Sequence, residues 1–186
     1  MKGAFTFKES SFLLVSSATV WLYLLPGCSK VVYETVTLAD SSSQSTVHRA
    51  TGDVLIGFPF SQKISLNAER HTLPNGRKLF YLLLEYFSDS VTLKEWLDIQ
   101  PAEPLILRID GRLVRLPGAA DRYTRQTIEE QPLETAAYET PVELLEMLAG
   151  ATEVIVRVRC SRQTIERNFE KDNFQFFRRF VDEFRQ

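Results

Sequence analysis

Residues 104–117 constrain the fold more than any other segment, because they predict a β-hairpin whose register is set by its turn. The Asp-Gly pair at 110–111 favours the two positive φ angles of a type I′ turn, and alternating apolar residues flank it. In that register Leu107 faces Val114 on one side of the hairpin, and Arg108 lies on the other side. The hairpin is therefore predicted to have one core face and one mixed, cationic face.

Three further segments have the β-branched, aromatic or alternating composition of strands, at 31–38, 78–87 and 153–160. The segment 78–87 has apolar residues in both phases, which predicts a central strand that is buried on both sides. Residues 119–140 are polar and are predicted to form a long loop.

Helix signals occur at three places in the sequence. Thr92 and Glu95 fit a capping box that opens a short helix, and Thr140 is a predicted N-cap before a second helix. A phenylalanine stripe at 3–4 spacing predicts a third helix, whose apolar side serves core packing or, alternatively, a partner. Together the patterns predict an α+β domain, a mainly antiparallel sheet with one face covered by helices near 141–149 and 172–185.

The N-terminus has the composition of an export signal. Lys2 and Lys8 precede a stretch at 10–29 that contains no charged residue and is apolar in its middle. A basic start, a short apolar run and small residues after it are typical of a secretory signal. An uncleaved anchor helix is an alternative, although a membrane span needs about 20 predominantly apolar residues.

The apolar run ends in Leu25, Pro26, Gly27 and Cys28, and here the chain resembles a bacterial lipoprotein precursor. The resemblance covers only about the first 30 residues. It implies cleavage before Cys28, a diacylglyceryl thioether on its sulfur, and anchoring to a membrane. Since Ser29 rather than Asp follows the cysteine, the resemblance implies the outer membrane, facing the periplasm, if the host is Gram-negative. Ordinary cleavage near Ser29 is the alternative.

These features divide the chain into three parts. We predict a signal peptide at 1–27, a lipid-anchored N-terminus and flexible Ser-rich tether at 28–50, and a single α+β domain at 51–186. A composition that is 44% hydrophobic and 25% charged is typical of globular domains, and the net charge of −2 predicts no attraction to nucleic acid.

Four arginines form the candidate binding site. Alternation places them on the non-core face if the strand at 153–160 joins the sheet of the hairpin. They are Arg108, Arg115, Arg157 and Arg159. Because guanidinium groups bind carboxylate and phosphate in a bidentate manner, this face could hold an anionic envelope component, a lipid headgroup or an acidic partner. The alternative is a solvated face paired with neighbouring Glu and Asp.

The sequence contains none of the common catalytic, nucleotide-binding or metal-binding motifs, so no catalytic residue, metal or cofactor is predicted. His48 and His71 are interpreted as solvated loop residues, and the glutamates between 129 and 146 as a solvated acidic stretch. Cys160 is interpreted as a buried structural thiol. An intermolecular disulfide or a nucleophile whose pKa is lowered by flanking arginines is the alternative.

The resulting hypothesis is a lipid-anchored cell-envelope protein, a non-catalytic binding or assembly module for another envelope component. An exported, hydrolase-like enzyme whose site lacks local motifs is one alternative. A structural subunit of an envelope complex is the other.

Overall fold

The computed structural model of the chain describes residues 33–40, 44–55, 62–88, 95–118 and 120–185. Strands dominate these ranges, and two α-helices accompany them. In chain order the elements are β1 (Glu34–Asp40), β2 (Ser45–Thr51), β3 (Val54–Leu55), β4 (Gln62–Thr72), β5 (Lys78–Ser88), β6 (Leu105–Ile109), β7 (Arg112–Leu116), β8 (Tyr123–Ile128), β9 (Gln131–Thr140), α1 (Val142–Gly150), β10 (Val154–Arg159), β11 (Thr164–Asn168) and α2 (Lys171–Arg185). The predicted α+β class is confirmed, and every strand pair is antiparallel.

The strands form two sheets rather than the single sheet expected. The larger one has the order β1-β2-β4-β5-β9-β8, with β3 also pairing with β4. Its central strand is β5, in which Tyr81, Leu82, Leu83 and Leu84 are all buried. A strand that is buried on both faces needs apolar residues in both phases. The run at 78–87 has this pattern, so the sequence alone predicts a central strand there.

The smaller sheet has the order β11-β10-β6-β7 and contains the predicted hairpin. Leu107 pairs with Val114 and Arg108 with Leu113, so the predicted register is confirmed. Asp110 also accepts hydrogen bonds through Oδ1 from the backbone N–H groups of Thr152 and Glu153, at 3.0 and 2.9 Å. The turn residue that sets the register therefore also holds the start of β10.

Both main helices occur where the sequence predicts them, with differences at their starts. Pro141, not Thr140, occupies the N-cap position of α1, and the Thr140 hydroxyl has no hydrogen-bond partner. At the start of α2 the Asn173 side chain accepts a hydrogen bond from the Glu170 N–H at 2.6 Å. That bond satisfies a donor that the helix itself leaves free.

The buried apolar side chains of both sheets and both helices form one contiguous core. Helix α2 contributes Phe176, Phe177 and Phe180, all fully buried. The ring of Phe180 stacks on His48 of β2, with centroids 6.3 Å apart, and Phe184 packs on Phe80 of β5 at 4.9 Å. The phenylalanine stripe thus packs in the core, which was the first of its two interpretations.

Several local predictions differ from the structure. The predicted loop at 119–140 is a hairpin of β8 and β9. The short helix predicted to open at Thr92 is absent at residues 95–97, and Thr92 itself lies outside the described residues. The flexible tether predicted at 28–50 is wrong in the parts that the structure describes from Glu34 onward, because β1 and β2 pair with each other and β2 pairs with β4. The strand predicted at 31–38 is present as β1.

The signal peptide, the lipobox-like motif and Cys28 all lie outside the described residues. Neither helix within the described ranges is long and apolar enough to cross a membrane.

Candidate binding surfaces

The four predicted arginines lie on one face of the smaller sheet, since β10 does pair with β6. This arginine face carries Arg108, Arg115, Arg157 and Arg159. Cations and aliphatic side chains alternate across it. Ile106 stands between Arg115 of β7 and Arg157 of β10, and Arg108 stands between Leu113 and Ile155. The pattern follows from the register, because each strand alternates and its neighbours are aligned.

Two carboxylates compensate part of this charge. Arg157 donates from Nε to Glu166 at 2.6 Å, and Arg108 lies 3.7 Å from Glu153. Arg159 donates only to the Thr164 hydroxyl, and Arg115 has no hydrogen bond or ion pair with any described residue. The face therefore has two more guanidinium groups than carboxylates. The alternative interpretation, a face fully paired with neighbouring acids, holds for two of the four arginines.

The aliphatic positions of the arginine face are partly open to solvent. Leu113 is 57% exposed, and Ile106 and Ile155 are half-buried. Together with Arg108 and Arg157 they line a shallow depression of about 60 Å³. A depression of that size is too small for a drug-sized ligand, whose sites measure about 300–1,000 Å³, so this face suits contact with another surface.

A second group of polar residues, which the sequence interpretation missed, lies on the outer face of the larger sheet. Glu69 of β4 hydrogen-bonds to His71 Nε2 at 2.8 Å and pairs with Arg49 of β2. Burial acts to raise the pKa of Glu69, but the His71 hydrogen bond and the Arg49 charge outweigh it and lower that pKa. The carboxylate is thus held ionised between two donors.

His71 and His48 are both strand residues with carboxylate partners, so their interpretation as solvated loop residues is wrong. His48 Nε2 lies 2.9 Å from Glu183 of α2. Each histidine pairs with an acid that the fold places beside it. The partner of His48 lies 135 positions away in the chain, so sequence spacing gave no signal of that pair.

Tyr81 of β5 continues the polar group towards an open cavity of about 510 Å³. Its ring meets His71 edge-on at 4.8 Å, and the Arg122 guanidinium lies over its face at 4.3 Å. Tyr81, Val47 and Leu83 are buried but stand apart from the main core, which places them on the opposite face of the sheet. Asp121 and Glu139 also line this tyrosine cavity.

Glu134 of β9 is completely buried, so its interpretation as part of a solvated acidic stretch is wrong. Its carboxylate accepts hydrogen bonds from the N–H groups of Asp98 and Ile99 at 2.8 and 2.9 Å, and from the Tyr123 hydroxyl at 2.6 Å. Arg125 of β8 also lies 3.6 Å from the carboxylate. Since every one of these partners belongs to the chain itself, this acid organises the segment 98–99 rather than forming an open site.

Cys160 is a free and buried thiol, as its main interpretation predicts. Burial, followed by the nearby charges of Glu134 and Asp98, raises the pKa of Cys160 to about 12. The flanking arginines therefore do not activate it, and the proposed low-pKa nucleophile is wrong, because a thiol with that pKa carries little thiolate at neutral pH. Among the described residues, no group of three or more His, Cys, Asp or Glu is placed to hold a metal ion.

Comparison of the chain with protein-family models, curated proteins and solved structures gave no match.

Proposed function

We propose that this protein is a lipid-anchored, non-catalytic binding module of the cell envelope, which binds an acidic segment of another envelope protein through the arginine face. The observation that carries the proposal is the alternation of guanidinium and aliphatic groups on one exposed surface. Protein–protein interfaces are enriched in Arg and also contain apolar contact area, and the arginine face offers both.

The spacing of the arginines supports a partner of a particular chemistry. Arg115 and Arg157 are separated by one strand, so their Cα atoms lie roughly 10 Å apart across the sheet. Carboxylates at a similar separation, with an aliphatic side chain between them to meet Ile106, would match this row. Such a partner gains bidentate bonds to Arg and covers the exposed side chain of Leu113.

The arrangement of the helices is part of the same proposal. We propose that α1 and α2 cover the inner face of the larger sheet and leave the arginine face free. Ring contacts of Phe180 with His48 and of Phe184 with Phe80 support this placement. The arginine face must be free of helices if it is to bind a partner.

The first experiment replaces all four arginines of the arginine face by Gln. Crosslinking in intact cells should capture an acidic partner with the wild type, and binding should weaken about ten-fold or more in the variant, because charged hydrogen bonds contribute about 1.5–3 kcal/mol each. The interaction should also weaken as ionic strength rises. Unchanged capture by the four-fold variant would refute the proposal.

A matched pair of single variants sharpens the test. Arg115→Glu reverses a charge on the arginine face, and Arg112→Glu makes the same change in the same strand, at a position that alternation places on the opposite side. Only Arg115→Glu should reduce capture. Equal losses in both variants would indicate a non-specific effect of net charge.

The anchor is tested separately with Cys28→Ala. Loss of the lipid should release the protein from membranes and change its mature mass, because stable anchoring depends on the acyl chains. If the variant fractionates with membranes at the mass of the wild type, lipidation is wrong while the binding proposal stands.

One observation favours an exported enzyme as the second candidate. A histidine hydrogen-bonded to a carboxylate, as His71 is to Glu69, is the arrangement that orients a general base. His71→Gln should abolish hydrolysis of an ester or amide substrate if this candidate is correct. If the wild type hydrolyses these substrates no faster than His71→Gln does, the enzyme candidate is excluded.

A further inference from the structure

The tyrosine cavity offers a second site that is independent of the arginine face. It lies between the ends of β7 and β9 and a short 3-10 turn at Ala120–Arg122. Its volume of about 510 Å³ falls within the range of ligand pockets, about 300–1,000 Å³. Its charged groups are Asp121, Arg122 and Glu139.

The polar groups of this cavity lack partners in the described part of the chain. Asp121, Arg122 and Glu139 form no hydrogen bond or ion pair with any described residue. Tyr81 is only 2% exposed, yet its hydroxyl has no hydrogen bond to a described residue either. Since Tyr81 lines the cavity, this hydroxyl is placed to bond an occupant of the cavity.

The contact between Arg122 and Tyr81 leaves the binding edge of the guanidinium available. The guanidinium carbon lies 4.3 Å from the ring centroid, and no N–H group of Arg122 forms a hydrogen bond with a described residue. Arg122 therefore keeps a fork of donors that matches a carboxylate. Asp121, Arg122 and Glu139 line the same cavity as Tyr81, so all three charges face one shared space.

From these groups we infer that the tyrosine cavity binds a small zwitterion, a free amino acid or a short peptide with both termini unblocked. Arg122 holds the carboxylate of the ligand, and Asp121 and Glu139 hold its ammonium group. The Tyr81 hydroxyl bonds the ligand between them. A ligand with only one charge would leave one side of the cavity unpaired, so the arrangement selects molecules that carry both.

The test measures binding of four probes to the purified protein by NMR titration. The probes are alanyl-alanine, N-acetyl-alanyl-alanine, alanyl-alanine amide, and the dipeptide blocked at both ends. Alanyl-alanine should bind saturably, and each single block should weaken binding about ten-fold, as expected for loss of one charge-assisted contact. The doubly blocked probe should not bind measurably.

Variants assign each block to a side chain. Arg122→Gln should weaken alanyl-alanine about ten-fold but leave the already weaker amide unchanged, because both changes remove the same contact. Likewise, Glu139→Gln should weaken alanyl-alanine binding but leave binding of the N-acetyl probe unchanged. Arg122→Lys retains the charge and should keep more affinity than Gln. Arg112→Gln, on the smaller sheet and outside both proposed sites, should change nothing.

Three results would overturn the inference. They are the absence of saturable binding by alanyl-alanine, equal binding of blocked and free probes, and wild-type affinity in Arg122→Gln. Thermal unfolding of each variant shows whether the cavity is still folded. Since the arginine face takes no part in these titrations, a failure here leaves the proposed partner binding untouched.

Discussion

Three carboxyl groups are buried among the described residues, and their surroundings give them different roles. Glu69 has two positively charged or donating neighbours, and Glu134 has three hydrogen-bond donors. Asp53 accepts one hydrogen bond, from Asn173 at 2.7 Å, and its Oδ2 atom has no partner. Burial therefore raises the pKa of Asp53 well above its usual value, although the Asn173 bond lowers it in part.

Asp53→Asn should change how stability depends on pH. In the wild type the folded state retains the Asp53 proton after the unfolded chain has lost it, so the free energy of unfolding falls as pH rises above 3.8. The decrease is about 1.4 kcal/mol per pH unit until the raised folded-state pKa is reached. The variant should lack this component. Urea unfolding from pH 4 to 7 measures the difference, and parallel curves would contradict the prediction.

Glu69→Gln should show the opposite pH dependence. Because the folded-state pKa of Glu69 is lowered, its ionised form stabilises the protein above pH 4.5, and this contribution is lost as pH falls below that value. The variant should lose about 1.5–3 kcal/mol at pH 7. The gap to the wild type should narrow in acid. A gap that stays constant between pH 7 and 3 would show that the Glu69 charge is unimportant.

At the scale of elements, the hairpin of β6 and β7 was predictable and the hairpin of β8 and β9 was not. The first has a turn signal and apolar residues on one face, so its register is encoded locally. In β9 the buried positions include Pro132 and Glu134. The partners that make burial of Glu134 favourable lie 35 and 36 positions away, and no local pattern contains that information.

The two candidate sites also differ in how far the sequence predicts them. The arginine face follows from alternation within single strands, so the sequence alone identifies its residues. Glu69, Tyr81 and Arg122 come together from β4, β5 and the turn before β8, and each is unremarkable within its own segment. Only the pairing of β4 with β5 reveals that Glu69 and Tyr81 are neighbours.

Gly118 shapes the wall of the tyrosine cavity. A Cβ at this position would stand 2.4 Å from the backbone oxygen of Ala102, which cannot rotate away. Gly118→Ala should therefore destabilise the protein by about 1–3 kcal/mol, the usual result of overpacking. Gly150→Ala, in α1, meets no atom within 4 Å and should be neutral or stabilising by up to about 1 kcal/mol. Denaturant unfolding of both variants checks this, and equal effects would contradict it.

At the scale of the molecule, one acid connects the two sheets. Glu134 belongs to the larger sheet and bonds the segment at 98–99. The same segment joins the smaller sheet, because Gln100 donates to the Arg159 carbonyl and Ser161 to the Asp98 carbonyl, both at 2.9 Å. Through these bonds the end of β10 is fastened to β9 independently of the apolar core.

Glu134→Gln should weaken this connection. A glutamine offers one acceptor oxygen where two are used, so at least one buried donor loses its partner, at a cost of about 1–3 kcal/mol. Glu139→Gln lies in the same strand, is exposed, and should change stability by less than about 0.5 kcal/mol. Equilibrium unfolding by circular dichroism measures both. Similar stabilities for the two variants would disprove the role of Glu134.

The fastening by Glu134 also determines how the molecule opens. Amide hydrogens exchange with solvent either through local fluctuations or through global unfolding. A segment that is hydrogen-bonded to two sheets becomes exposed only when its bonds to both sheets break. The Ile99 amide should therefore exchange as slowly as amides in the middle of β5, although it lies outside every strand. We therefore expect the two sheets to unfold together in one cooperative event, without prior separation of the smaller sheet.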